Sequence, residues 1–92
     1  MTNLENIRAK LGKRVRGLRK ARGWSQEELA HRASLHPTYI GGIERGERNV
    51  SLINLAKLAE AFHIDLAEFL SFEAAGPAAE EKDTPSVDLR WR

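Results

Sequence analysis

Four times between residues 24 and 69 the chain repeats one local pattern: an apolar residue, a capping residue, and a second apolar residue four places beyond the cap. The pairs are Trp24 with Leu29, Leu35 with Ile40, Val50 with Leu55, and Ile64 with Phe69. An apolar residue ahead of the N-cap packs on the fourth helical residue and fixes the angle at which the chain enters the helix. Ser25 with Glu28, and Asp65 with Glu68, have the spacing of capping boxes. Each pattern therefore marks a helix start. No strand signal occurs anywhere, so the chain reads as all-α, a compact bundle with short connections.

Five helices are expected. The first covers about residues 4–22, with the stripe Leu4, Ile7, Leu11, Val15 and Leu18 at three- and four-residue spacing, and Gly23 ends it. The second covers about 26–33, the third about 37–45, the fourth about 52–62 and the fifth about 66–72. The fourth is expected to bury Leu52, Leu55, Ala56, Leu58 and Ala59. At 92 residues this is one small domain, expected over 1–72. Residues 73–92 are rich in Ala, Pro and acid and read as a flexible tail. The alternation of Val87, Leu89 and Trp91 leaves open an extended segment that folds on a partner.

Composition narrows the chemistry. There is no cysteine, hence no disulfide or thiolate metal site, which suits a cytoplasmic location. No apolar run approaches the ~20 residues of a membrane span, and the N-terminus has no signal-peptide h-region. His31, His36 and His63 are scattered without ligand spacing. No metal, no cofactor and no enzymatic activity are expected. His36, beside Pro37, is most simply a cap or a phosphate neighbour.

Net charge is only +2 but unevenly placed. Arg8, Lys10, Lys13, Arg14, Arg16, Arg19, Lys20 and Arg22 occur with no acid among them, whereas acids outnumber bases after residue 72. The basic run suggests a polyanion partner; the alternative is a solvated helix face.

Residues 25–46, SQEELAHRASLHPTYIGGIERG, carry the functional reading. Leu29, Ala30 and Ala33 give one short helix a narrow face. Pro37 suits the first position of the next, Ile40 and Ile43 form its buried stripe, and Gly46 can stop it in the left-handed conformation. Neither helix is stable alone. A small Ala30 at the crossing lets them pack closely and leaves the outer face of the second one free. This is a helix-turn-helix arrangement, whose second helix enters the DNA major groove.

That helix should present Pro37, Thr38, Tyr39, Gly41 and Gly42 outward. Thr38 can read a base edge or a thymine methyl, and Tyr39 can reach a phosphate or pack on a sugar. Gly41 and Gly42 together cost roughly 2 kcal/mol of helix propensity relative to alanine. Either the backbone closely approaches the duplex there or another helix packs tightly. In the following loop Arg45 and Arg48 are candidates for bidentate contacts to guanine or phosphate; Arg48 paired with Glu47 or Glu44 is the alternative. Ser25 and Gln26, at the positive end of the second helix, and Asn49 are candidate phosphate ligands. Glu44 needs a partner of its own, and Arg19 is expected to pair with it, partly buried.

Residues 26–46 resemble the helix-turn-helix domain of the Xre family, the phage-repressor-like regulators, over about residues 11–70. The segment YIGGIERGERNVSLINLAKLAEAF is similar to controller proteins of restriction–modification systems. The resemblance implies a phosphate-binding glutamine at Gln26, apolar positions at Ile40 and Ile43, and an ion pair of Arg19 with Glu44. It implies base reading at Pro37, Thr38, Tyr39 and Gly42. The family usually has glycine where this chain has Ser34, so an uncommon backbone conformation is expected there. It also implies a bacterial or phage regulator, nucleoid-associated, acting as a homodimer on a palindromic operator to repress or activate, with autoregulation open. Two recognition helices would then lie about 34 Å apart. Leu66, Leu70 and Phe72 are candidate dimer-interface residues; the alternative is that all fold under the bundle. Glu27 and Glu28 offer an acidic face to RNA polymerase. An antitoxin or a protein-interaction adaptor, with the tail binding a partner, is the other reading.

Overall fold

A computed structural model describes residues 4–71 as five helices: α1 (Leu4–Ala21), α2 (Gln26–Ala33), α3 (Pro37–Glu44), α4 (Leu52–Ala61) and α5 (Leu66–Phe69). The expected tail, and Phe72 with it, lies outside the described residues. The expected N-cap side chains all bond, but among the described hydrogen bonds neither Glu28 nor Glu68 returns a bond to its cap residue, so the two capping boxes are half made; Glu28 accepts from Arg32 instead. Ser25 Oγ accepts the Glu28 N–H at 3.0 Å, Ser51 Oγ that of Asn54 at 3.1 Å, and Asp65 Oδ1 that of Glu68 at 2.7 Å. His36 caps α3, its Nδ1 accepting the Thr38 N–H at 3.0 Å. All eight staple residues belong to the core or pack against it.

Helix ends are equally well defined. Gly23 and Gly46 adopt φ of 71° and 76° after α1 and α3. Ser34 takes the same left-handed conformation, φ 57° and ψ 46°, as its place in the turn demands. His63 does so after α4 at φ 62°, which nothing in the sequence suggested. Each of these two side chains costs about 1–2 kcal/mol in a conformation that glycine adopts freely. The return is a chain reversal closed by hydrogen bonds: Leu35 N–H to Ala30 O at 2.9 Å, and Ile64 N–H to Ala59 O at 3.1 Å.

The core is built from Val15, Leu29, Ile40, Ile43, Leu58, Phe62 and Phe69, all fully buried. Three expectations need correction. Leu52 is 66% exposed and Ala56 is exposed as well, because α4 meets the core only from Leu55 onward, through Leu58, Ala59 and Phe62. Leu52 has the right angle on the helix but lies a turn ahead of that contact. Ile7 is 39% exposed, near the start of α1, ahead of where Leu11 joins the core. α5 is a single turn that ends at Phe69 rather than near residue 72. Among the described residues, no helix is long and apolar enough to cross a membrane.

The basic run on α1 is partly structural. Arg14 donates from Nε to Phe69 O at 3.1 Å and from Nη2 to Glu68 O at 2.9 Å, capping the end of α5. Arg22 Nη2 donates to Phe62 O at 2.7 Å at the end of α4, with its guanidinium 5.1 Å from the Phe62 ring centre. Cations beside terminal carbonyls suit the negative end of the helix dipole.

α1 crosses the end of α3 at Gly12, which is buried. A Cβ there would lie 2.6 Å from both the Ile43 and Glu44 carbonyl oxygens. Those atoms are backbone and cannot rotate away. Gly12→Ala should therefore lose about 1–3 kcal/mol by overpacking, despite the ~1 kcal/mol that alanine gains in helix propensity. Urea unfolding measures it; an unchanged midpoint would show that α1 and α3 do not touch here.

Candidate nucleic-acid interface

α3 is inserted by one side and open on the other. Ile40 and Ile43 are buried in the core, whereas Thr38 is exposed and Pro37 and Tyr39 are half-buried. Gly41 and Gly42 are buried, against the expectation that they face outward bare. Their covers are side chains from the protein itself. A Cβ on Gly41 would lie 3.1 Å from Arg45 Nη1 and 3.6 Å from Gln26 Oε1. One on Gly42 would lie 2.8 Å from Arg48 Nε. Arg45 and Arg48 thus lie over the outer side of α3.

The candidate side chains form three neighbouring groups. Arg45, exposed, donates from Nε to Glu47 Oε2 at 3.1 Å. So exposed a pair is worth little and yields readily to another anion. Arg48 does not pair with Glu47 or Glu44 through a described ion pair; its guanidinium carbon lies over the Tyr39 ring, 5.4 Å from its centre. The Tyr39 hydroxyl accepts from Asn54 Nδ2 at 3.2 Å. At the far end of the loop, Asn49 Oδ1 accepts from Arg8 Nη1 at 2.8 Å. Arg8, Arg48 and Asn49 line one shallow groove with Val50 and Leu55.

The start of α2 joins the other end. Gln26 Nε2 donates to Glu44 Oε1 at 3.1 Å, which orients the amide beside α3. Ser25 is exposed with its hydroxyl accepting from Glu28. Glu44 is held by Arg19 through two bonds, Nε to Oε2 at 2.6 Å and Nη2 to Oε1 at 3.0 Å. Arg19 Nη1 also donates to Trp24 O at 2.8 Å. The Glu44 hydrogen bond holds the Arg19 guanidinium above its ordinary pKa. The carboxylate that α3 carries is thereby neutralised from within.

Two residues on this face were not singled out as site residues by the sequence, Arg8 appearing there only as one of the basic run. Arg8 lies 41 positions from Asn49, and only the α1–α3 crossing brings it there. Asn54 reads as an ordinary first-turn residue of α4, and its bond to Tyr39 depends on packing. Of the proposed dimer residues, Leu66 and Leu70 are half-buried against the core. Among the described residues, the most exposed large apolar side chains are Leu52 and Ile53, each 66% exposed. Among the described residues, no group of three or more His, Asp or Glu is placed to hold a metal ion.

Two short helices about a left-handed turn, the second presented outward beneath arginines, define a helix-turn-helix DNA-binding domain. Comparison with known proteins agrees. Residues 15–69 match the model of the HTH_3 helix-turn-helix family. The chain is 43% identical over 83 residues to Control protein C.BamHI of Bacillus amyloliquefaciens, covering 89% of this chain and 100% of that one. It is 42% identical over 66 residues to Control protein C.SmaI of Serratia marcescens, covering 72% and 79% of the two chains. The crystal structure of the restriction-modification controller protein C.AhdI from Aeromonas hydrophila superposes with a TM-score of 0.65 at 52% identity, covering 67% of this chain and 94% of that chain. The chain belongs to the HTH_3 family of helix-turn-helix proteins and is a DNA-binding transcription regulator, not an enzyme.

Proposed function

We propose that the chain controls a restriction–modification system, as the name of C.AhdI states for that protein, by binding as a homodimer to a palindromic operator. The observation that carries the reading is the position of Arg45 and Arg48 over the outer side of α3, beside exposed Thr38. In this reading Thr38, Tyr39, Arg45 and Arg48 meet base edges, with Pro37 setting the approach of the helix. Ser25, Gln26, Asn49 and Arg8 meet phosphates on either side and fix register without reading sequence. Tyr39 and Arg48 are placed to serve a phosphate as well. Gly42 supports the face from beneath rather than touching a base, since Arg48 lies across it.

One such domain makes few contacts, and pairing supplies the remainder. Leu52 and Ile53 offer an apolar surface at the start of α4, and Leu66 and Leu70 a second, half-buried one. Contact with RNA polymerase would fall to Glu27, which is exposed, because Glu28 is held by Arg32 Nε at 2.7 Å. The working compartment is that of the DNA, the bacterial cytoplasm.

Sedimentation of the chain with an inverted-repeat duplex tests the proposal. Two chains per duplex are expected, and a duplex with one half-site should bind at least ~100-fold more weakly. One chain per duplex, with equal affinity for both DNAs, would overturn the dimer.

A further inference from the structure

Arg48 lies across Gly42 and over the ring of Tyr39, whose hydroxyl accepts from Asn54. We propose that Gly42 and Asn54 are positioning residues that set sequence discrimination by fixing Arg48 in one pose over α3. The inference rests on the DNA-binding reading of Arg48 given above.

Asn54 is the third residue of α4, with its own N–H anchored on Ser51 Oγ at 3.1 Å. Its Nδ2 donates to the Tyr39 hydroxyl at 3.2 Å, so the phenol is held at its tip as well as by the core packed against it. The ring then presents a face, and the Arg48 guanidinium lies 5.4 Å from its centre. A guanidinium held over an aromatic face by cation–π attraction uses none of its N–H donors on a protein acceptor, so they remain for bidentate recognition. The Arg48 stem reaches that position across Gly42. A Cβ at Gly42 would stand 2.8 Å from Nε and 3.0 Å from Cγ, so only glycine permits the pose. A long side chain ordered before binding loses less freedom when it engages a base. The glycine that weakens α3 therefore serves an arginine six residues away, and not a close approach of the duplex to the backbone.

The two roles of glycine are separable by experiment. The probes are a duplex enriched by the wild-type chain from a random-sequence library and a shuffled duplex of equal length. The ratio of their dissociation constants is the discrimination. Gly42→Ala should melt at or above the wild-type temperature, because alanine is the better helix former and the obstacle is a movable side chain. Its discrimination should nonetheless fall about tenfold, the scale of one bidentate base contact. Asn54→Ala should lose about threefold, through one neutral hydrogen bond, at near wild-type stability. In an Arg48→Ala background, Gly42→Ala should change discrimination by less than about twofold.

An equal loss with and without Arg48 would show that the glycine admits DNA directly, and would overturn the proposal. So would undiminished discrimination in both Gly42→Ala and Asn54→Ala. Should Gly42→Ala fail to fold, Asn54→Ala decides alone. If the wild-type chain itself shows no discrimination, the DNA reading of this face fails, and the role of Arg48 fails with it.

Discussion

Replacing Arg19 by alanine should lower the stability of the domain by about 3–5 kcal/mol, the scale for breaking one side of a buried ion pair. The Arg19 and Glu44 side chains are only 11% and 4% exposed, so water cannot take the place of the missing guanidinium. Glu44 would keep only the Gln26 amide, at 3.1 Å, against a full negative charge. The Trp24 carbonyl, which accepts from Arg19 at 2.8 Å, would lose that donor too. For a domain of this size each kcal/mol moves the melting temperature by about 4–8 °C. The midpoint should therefore drop by at least ~12 °C, measured by circular dichroism. Arg19→Lys should recover only part of it, because an ammonium lacks the planar fork that meets both carboxylate oxygens. The sign of the pH effect follows from the cation. Its pKa is raised in the folded state, so its contribution is complete below the guanidinium's unfolded value and lost only in stronger alkali. A melting temperature within a degree or two of wild type would show that the pair is not buried.

The second large effect is on DNA affinity and depends on salt. If two domains neutralise roughly six to ten phosphates, affinity should fall by about 10³–10⁵ between 50 and 200 mM salt. Individual residues should separate by charge. Arg8→Ala should reduce the slope of log affinity against log salt by about one per chain, since a released counterion is lost with each phosphate contact. Asn49→Ala and Gln26→Ala should weaken binding and leave that slope alone, because neither carries charge. Fluorescence anisotropy across a salt series reads both. A flat response in the wild-type protein would remove electrostatic DNA binding from the account.

The fold was legible because its signals are local. Staples and caps lie within six residues of one another, and α2 begins at Gln26 and ends at Ala33 as they predict. The ion pair of Arg19 with Glu44 was legible for another reason: an acid on a helix meant for DNA demands a partner, and the family resemblance puts an ion pair at these two positions. What could not be read depends on how helices cross. Gly12 looks like any helical glycine until α3 ends against it. Leu52 sits on the apolar angle of α4, and only the extent of the core decides that it stays exposed. Gly42 stood out in the sequence, but that the Arg48 side chain lies across it and over Tyr39 could not be read there. Composition also does not show that, of the basic run, Arg14, Arg19 and Arg22 bond to other helices or their ends.

Arg45 already holds an anion, the Glu47 carboxylate, before any nucleic acid arrives. The described bond uses only Nε, so the guanidinium keeps its terminal N–H donors for a phosphate without first losing the acid. The pair is exposed and worth little, so Glu47 neither blocks that contact nor competes strongly with it. The acid thus acts as a loose tether that keeps Arg45 near the surface it covers without occupying its remaining donors.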